Sequence, residues 1–190
     1  MPVSYKRALD NLSPYRAARS VEGAKREFGL ANIIKLAGNE NVHGFSPKVT
    51  EAILGMQNEI SFYPDTESAR LRDALTRKLD VGKDELLFGS GSFELLTLAA
   101  TAFLEAGTEA IIPKPSFGWY YIATMAQNAA PIIVPLKNHK IDLDAILVRI
   151  NANTRLVWLC NPNNPTGAYI TETELAAFVK EVPETVLVVL

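Results

Sequence analysis

With 190 residues, 48% of them apolar, the chain is long enough to enclose one sizeable core. A net charge of −2, with acids and bases interspersed, excludes any electrostatic case for nucleic acid or an anionic membrane as partner. The single cysteine, Cys160, excludes an internal disulfide and fits a reducing compartment.

The start, Met1-Pro2-Val3-Ser4-Tyr5-Lys6-Arg7, leads into no apolar signal region, and no run approaches the length of a membrane span. A cytoplasmic location is expected. Residues 1–35 are charge-rich and read as an arm, with Ser13-Pro14-Tyr15 and Gly23 as breaks. Ser46-Pro47, then Val49, Ala52, Ile53 and Met56 at spacings of three and four, predicts a helix with an N-cap and proline at its first position. Asp65/Thr66 opens a second helix, whose Leu71, Leu75 and Leu79 share a face.

From residue 84 the rhythm changes. Short apolar runs at Glu85–Phe88, Ala110–Pro113, Pro131–Pro135, Arg155–Cys160 and Thr185–Leu190 predict strands. Helix-length segments Ser92–Leu104, Phe117–Asn128, Asp142–Ile150 and Thr171–Lys180 alternate with them, and Gly107 is placed to close the first. The expected class is α/β, a mostly parallel sheet with helices on both faces. Val186-Leu187-Val188-Val189-Leu190 should be a central buried strand needing neighbours, so the chain reads as incomplete. The expected division is an arm with part of a small domain over 1–45 and an incomplete large domain over 46–190.

Several segments carry chemistry. Asn161-Pro162-Asn163-Asn164-Pro165-Thr166-Gly167 follows an apolar strand and presents a side-chain amide at its C-terminal edge, where open α/β sheets bind ligands. Phe88-Gly89-Ser90-Gly91-Ser92-Phe93-Glu94 is a strand end, a Gly-rich turn and a helix start. It is either a plain connection or an anion cradle made of backbone N–H groups, and the Asn loop favours the cradle. In Pro115-Ser116-Phe117-Gly118-Trp119-Tyr120-Tyr121, Trp119 and Tyr121 are expected to pack, whereas Phe117 can stack on a flat heteroaromatic ring. Phe62-Tyr63-Pro64-Asp65 is either a turn whose Asp caps a helix or a loop offering a tyrosine hydroxyl to a phosphate. Leu36-Ala37-Gly38-Asn39-Glu40-Asn41 is a polar loop.

The remaining candidates read as structural. His43 and His139 are isolated, so no metal site is expected, and no Ser–His–Asp arrangement is available. Cys160 reads as a small core residue. Glu172 and Glu174 fit the first turn of a helix opened by Thr171.

Taken in order, Leu36–Asn41, Tyr63-Pro64-Asp65, Gly89–Glu94 and Asn161–Gly167 resemble the N-terminal half of the histidinol-phosphate aminotransferase family, within the fold type I pyridoxal-phosphate enzymes. The resemblance runs from about Ser13 to Leu190. It implies pyridoxal 5′-phosphate as cofactor, held by the backbone amides of Ser92, Phe93 and Glu94, with Phe117 on the ring and Asn164 on the ring oxygen. It further implies Tyr63 at a phosphate of a neighbouring subunit, hence a homodimer, with Asn39 and Glu40 near the substrate's entry. Phe93 stands where the family has Asp, and Gly38 where it has Ser, so only the backbone role carries over at 93.

The implied reaction is transamination between histidinol phosphate and 2-oxoglutarate or glutamate, an amino donor and a 2-oxo acid, in histidine biosynthesis. The family's Schiff-base lysine is expected beyond Leu190. No lysine here follows a serine, so no catalytic residue is assigned and the 190-residue chain alone is expected to be inactive. The competing readings are another fold type I enzyme (threonine-phosphate decarboxylase-like or aromatic aminotransferase), a non-catalytic cofactor-binding or dimerising fragment, and a nucleotide-binding module. The last leaves the Asn loop unexplained.

Overall fold

The computed structural model describes residues 6–13 and 19–190, so Pro14 and Tyr15 of the expected break lie outside the described residues. The chain divides into two compact units, one from Met1–Ser13 with Gly89–Leu190 and the other from Pro14–Phe88.

The first unit is built on four parallel strands: β1 (Glu109–Lys114), β2 (Ala130–Pro135), β3 (Thr154–Trp158) and β4 (Leu187–Val189), in the order β2-β1-β3-β4. Interior position decides burial. Ile111 and Ile112 of β1 and Leu156, Val157 and Trp158 of β3 are buried, while the edge strands β2 and β4 are mostly half-buried. Side chains alternate between two cores, as the period of a strand requires. Ala110, Ile112, Leu156 and Trp158 join one core; Ile111, Val157 and Leu159 join the other.

Helices α4 (Ser92–Phe103) and α5 (Trp119–Ala126) cover the first face through Ala100, Tyr120 and Ala123. Helices α6 (Leu143–Arg149) and α7 (Glu172–Glu181) cover the second through Ile146 and Phe178. The change of face follows from the strand order. The chain steps from β1 outward to β2, then returns past β1 to β3, and right-handed crossovers in opposite directions must lie on opposite faces. Asp142 and Thr171 cap α6 and α7, accepting from Ala145 N–H at 3.0 Å and Glu174 N–H at 3.3 Å. Buried polar groups in the first core are satisfied in series: Trp158 Nε1 donates to Thr124 Oγ1 (3.1 Å), which donates to the Tyr120 carbonyl (2.8 Å).

In the second unit, α1 (Val21–Phe28), α2 (Pro47–Gly55) and α3 (Ala69–Leu79) are joined by irregular segments, and none of its described residues is buried. The helix expected from Ser46-Pro47 is present with Pro47 in its first turn.

Four expectations need correction. Gly23 does not break the arm: it lies inside α1, where Ser20 Oγ accepts its N–H at 3.0 Å and supplies the cap. The second helix begins at Ala69 rather than at Asp65/Thr66, because Asp65 folds the segment back and accepts from Glu67 N–H (3.0 Å) and Ala69 N–H (2.7 Å). Glu85–Phe88 is not a strand; Arg72 Nη1 donates to the Leu86 carbonyl at 2.8 Å and to that of Lys83 at 2.6 Å, and Leu87 is exposed. Gly107 does not close α4, which ends at Phe103 with Leu104 as its C-cap; it turns the chain three residues after that cap, inside the Glu105–Thr108 bend. Among the described strands β4 pairs with β3 alone and is half-buried.

Candidate functional site

β1 and β3 are neighbours, yet the chain leaves β1 for one side and reaches β3 on the other. Such a reversal opens a crevice beyond the strands' C-terminal ends. The β1–β3 register runs only to Ile111↔Val157, so Pro113 lies beyond the last pair and its missing N–H costs no bond on that side. The loops leaving β1 and β3 carry Phe117 and Asn164.

The three asparagines of the β3 loop have separate duties. Asn161 clamps the loop's far end, donating from Nδ2 to the Ile170 carbonyl (3.1 Å) and accepting Ile170 N–H at Oδ1 (2.7 Å). Asn163 is 2% exposed and is tied on both sides of its amide to residues of the β1 and β3 loops. Asn164 is exposed; its backbone N–H donates to Cys160 Sγ at 3.3 Å, and its side-chain amide takes no part in this network. Cys160 is therefore more than core filler. It is half-buried just past β3, and its thiol also donates to the Pro162 carbonyl at 3.4 Å. Burial, and secondarily Cys160, pushes the Tyr120 phenol well above its ordinary value, so it stays a neutral donor to the Leu159 carbonyl at 3.3 Å.

Phe117 is half-exposed and held edge-on by two rings, Phe93 at 5.4 Å and 75° and Tyr120 at 5.5 Å and 87°. Tyr120 itself lies flat on Trp158, 4.9 Å away at 10°. Trp119 packs against Phe93 at 4.7 Å and donates from Nε1 to Thr97 Oγ1 at 3.2 Å, and Tyr121 is partly buried against the same core. The packing roles expected of Trp119 and Tyr121 are thus observed.

Phe93 brings the N-terminus of α4 to this crevice. Gly91 is the N-cap, at φ 93° and with open space where a Cβ would stand, and no side chain caps the helix. The N–H groups of Ser92, Phe93 and Glu94 stand in the first turn of α4, at its positive end. Gly89 is required for a different reason: a Cβ there would stand 2.8 Å from Glu94 Oε2 and 2.9 Å from Leu95 Cδ2. The Glu94 carboxylate is folded back onto Ser90 N–H. Backbone amides, a braced aromatic face and an exposed side-chain amide are what a phosphorylated heteroaromatic ring with a ring hydroxyl requires, so the residues present fit pyridoxal phosphate.

Asn39, Glu40 and Tyr63 belong to the second unit. Glu40 is ion-paired with Lys35, and Asn39 is held at φ 54°. The Tyr63 side chain is fully exposed beside an apolar cavity of about 800 Å³ lined by Met56, Ile60, Phe62 and Leu71. Asp65 lies three residues before the α3 N-cap Ser68, and its two backbone donors, Ala69 first, hold its carboxyl below the usual range. His43 and His139 lie in turns, and no cluster of metal-ligating side chains occurs among the described residues. Among the described residues no helix is long and apolar enough to cross a membrane.

Sequence reasoning did not single out Ser116, Tyr120 or a distinct role for Asn163. The Asn-Pro-x-Asn-Pro-Thr-Gly pattern marks the loop, but which amide faces inward depends on contacts 47 residues away in sequence.

The model of the family described as "Aminotransferase class I and II" matches residues 31–190. Among curated proteins, the chain is 45% identical over 185 residues to histidinol-phosphate aminotransferase 2 of Carboxydothermus hydrogenoformans, covering 97% of this chain and 51% of that protein. It is equally similar, with the same coverage, to histidinol-phosphate aminotransferase of Geobacillus thermodenitrificans. The chain thus spans about half the length of the curated relatives it matches. Among solved structures, the fold superposes on histidinol-phosphate aminotransferase from Sinorhizobium meliloti, solved in complex with pyridoxal-5′-phosphate, with a TM-score of 0.85 at 24% identity. That match covers 97% of this chain and 49% of the other. An aminotransferase from Escherichia coli matches with a TM-score of 0.77 at 25% identity, over 99% of this chain and 50% of the other.

Proposed function

The chain belongs to the aminotransferase class I and II family, and from that premise we propose that it is the cofactor-binding part of a pyridoxal-phosphate-dependent aminotransferase. Its complete form transaminates histidinol phosphate with 2-oxoglutarate or glutamate in histidine biosynthesis, in the cytoplasm. The observation that carries this reading is the convergence of Phe117, the Asn164 loop and the N-terminus of α4 at the β1/β3 crevice. In this reading, residues 46–190 are an incomplete large domain and residues 1–45 an arm with part of a small domain.

Each residue has one task. The N–H groups of Ser92, Phe93 and Glu94, with the positive end of α4 behind them, bind the phosphate. Phe117, its tilt fixed by Phe93 and Tyr120, stacks on the pyridine ring and keeps water off that face. The Asn164 amide donates to the ring's 3′-oxygen and favours its ionised form. When bound, pyridoxal phosphate supplies an electron sink for negative charge developing at the α-carbon of an amino donor.

Asn39 and Glu40 belong to the entry of the amino donor and 2-oxo acid, with Lys35 balancing the Glu40 charge. Tyr63 reaches the phosphate of a second copy's cofactor, in a homodimer. The exposed apolar side chains of Ile34, Leu36, Phe45, Ile60 and Phe62 support a face covered by another surface. The lysine that exchanges the α-proton is none of the residues named here, and the chain alone does not transaminate.

Titration of the purified chain with pyridoxal phosphate, read by tryptophan fluorescence, tests the binding part, since Trp119 packs on the Phe93 that braces the ring platform. Saturable quenching is expected, with no turnover of histidinol phosphate. Absence of quenching removes the cofactor role, and turnover by the verified 190-residue chain contradicts its inactivity.

A further inference from the structure

The side chain best placed to set the geometry of the crevice touches no part of the proposed ligand. Asn163 Oδ1 accepts from Ser116 Oγ at 2.8 Å; its Nδ2 donates to the Pro115 carbonyl at 3.2 Å and to Thr166 Oγ1 at 2.9 Å. Its backbone completes the turn, donating to the Ala168 carbonyl and accepting Gly167 N–H, both at 2.7 Å. Only one orientation of the amide is possible, because the Pro115 carbonyl can only accept. At 2% exposure these bonds are shielded from competing water, and losing one leaves a buried polar atom without a partner.

The strand ladder does not do this work. β1 and β3 cease pairing at Ile111↔Val157, before either loop begins. Past that point, the separation of the two loops depends on side chains that cross between them. Asn163 crosses it, one residue before Asn164, and its partners Pro115 and Ser116 immediately precede Phe117.

Building on the cofactor reading above, we propose that Asn163 is a positioning residue for pyridoxal phosphate. It locks the β1 loop to the β3 loop so that the Phe117 ring and the Asn164 amide stand at the separation one pyridine ring requires. Asn163 contributes to affinity through Asn164, and its effect vanishes when the Asn164 contact is absent.

The test is a double-mutant cycle on the full chain, with pyridoxal phosphate affinity read by tryptophan fluorescence and Tm recorded for each variant. Asn163→Leu keeps approximate volume and removes all three side-chain bonds; Asn164→Ala removes the ring-oxygen contact. Asn163→Leu is expected to weaken binding about tenfold, or about 1.4 kcal/mol. In the Asn164→Ala background the same change is expected to cost no more than about twofold, because coupled residues do not add. An analogue of the cofactor lacking the ring hydroxyl should likewise bind the wild type and Asn163→Leu within about twofold.

If Asn163→Leu does not fold, Ser116→Ala, which deletes a single half-buried hydroxyl, carries the same cycle with an expected single-variant loss of about threefold. Losses that multiply with those of Asn164→Ala, or that persist with the analogue, overturn the proposal and leave Asn163 a stabiliser of the fold. A wild type that does not bind pyridoxal phosphate, or whose binding is indifferent to Asn164→Ala, overturns the cofactor reading and this inference with it.

Discussion

The unit carrying residues 89–190 and the unit carrying residues 14–88 both carry many apolar side chains, and use them to opposite effect. In the first, Trp158, Ile111, Ile146 and Leu156 are fully buried and polar side chains are drawn into the interior with their partners. In the second, no described residue is buried, and Leu36, Ile34 and Phe45 are 93%, 86% and 74% exposed. The difference separates two kinds of site. Phe117 and Asn164 hang from strands that cannot move without breaking a packed core, so their geometry exists before any ligand arrives. Tyr63, Asn39 and Glu40 stand on segments held mainly by local hydrogen bonds, and their proposed roles depend on a surface that covers them.

The contrast predicts unequal responses to substitution. Trp158→Ala should destabilise the chain by about 3–5 kcal/mol, because a large ring is removed from between two layers and Thr124 loses its donor. Leu36→Ser should change stability by no more than about 0.5 kcal/mol. Chemical denaturation that gave the two variants similar losses would erase the comparison.

At the ligand level, Asn164→Ala should weaken pyridoxal phosphate by about ten- to a hundredfold with Tm unchanged, as a lost hydrogen bond to a charged oxygen would. Tyr63→Phe should cost about fivefold, and only where the protein is dimeric. Equal affinity for Tyr63→Phe and wild type in a demonstrated dimer would sink the role of Tyr63. Phe93→Leu removes an edge from Phe117 and from Trp119; about 1 kcal/mol of stability and about threefold in cofactor affinity should go with it.

The smallest effect concerns α7. The Glu174 carboxyl is held below its ordinary value chiefly by Thr171 N–H and then by the Thr171 hydroxyl. A depressed carboxylate stabilises the fold fully above the unfolded value and loses that contribution as pH falls through the folded one. As pH falls through the carboxylate range the wild type should therefore lose more stability than Glu174→Gln, which takes up no proton there. Parallel melting curves across that range would count against the capping box.

Much of the first unit was legible because its signals are local and agree. Apolar runs of strand length alternate with helical spacing, Asp142 and Thr171 announce their helices, and the Asn loop follows β3 directly. Glu85–Phe88 was misread as a strand, since a strand needs a partner and Arg72 claims the Leu86 carbonyl. α1 was hidden by Gly23, though Ser20 before it and Gly29 after it are ordinary cap residues. At the candidate site, the placement of Phe117 and Asn164 on the loops after β1 and β3 was legible from motif position. Asn163, Ser116 and Tyr120 were not, because their contacts join loops that only the sheet brings together.

The most direct test of the central claim is the pyridoxal phosphate titration of the chain with backbone amides followed residue by residue by NMR. The account predicts saturable binding, with the largest shifts at Ser92, Phe93, Glu94, Phe117 and Asn164 and little change in α6 and α7. Saturation with shifts concentrated elsewhere, or no saturation at all, would contradict it.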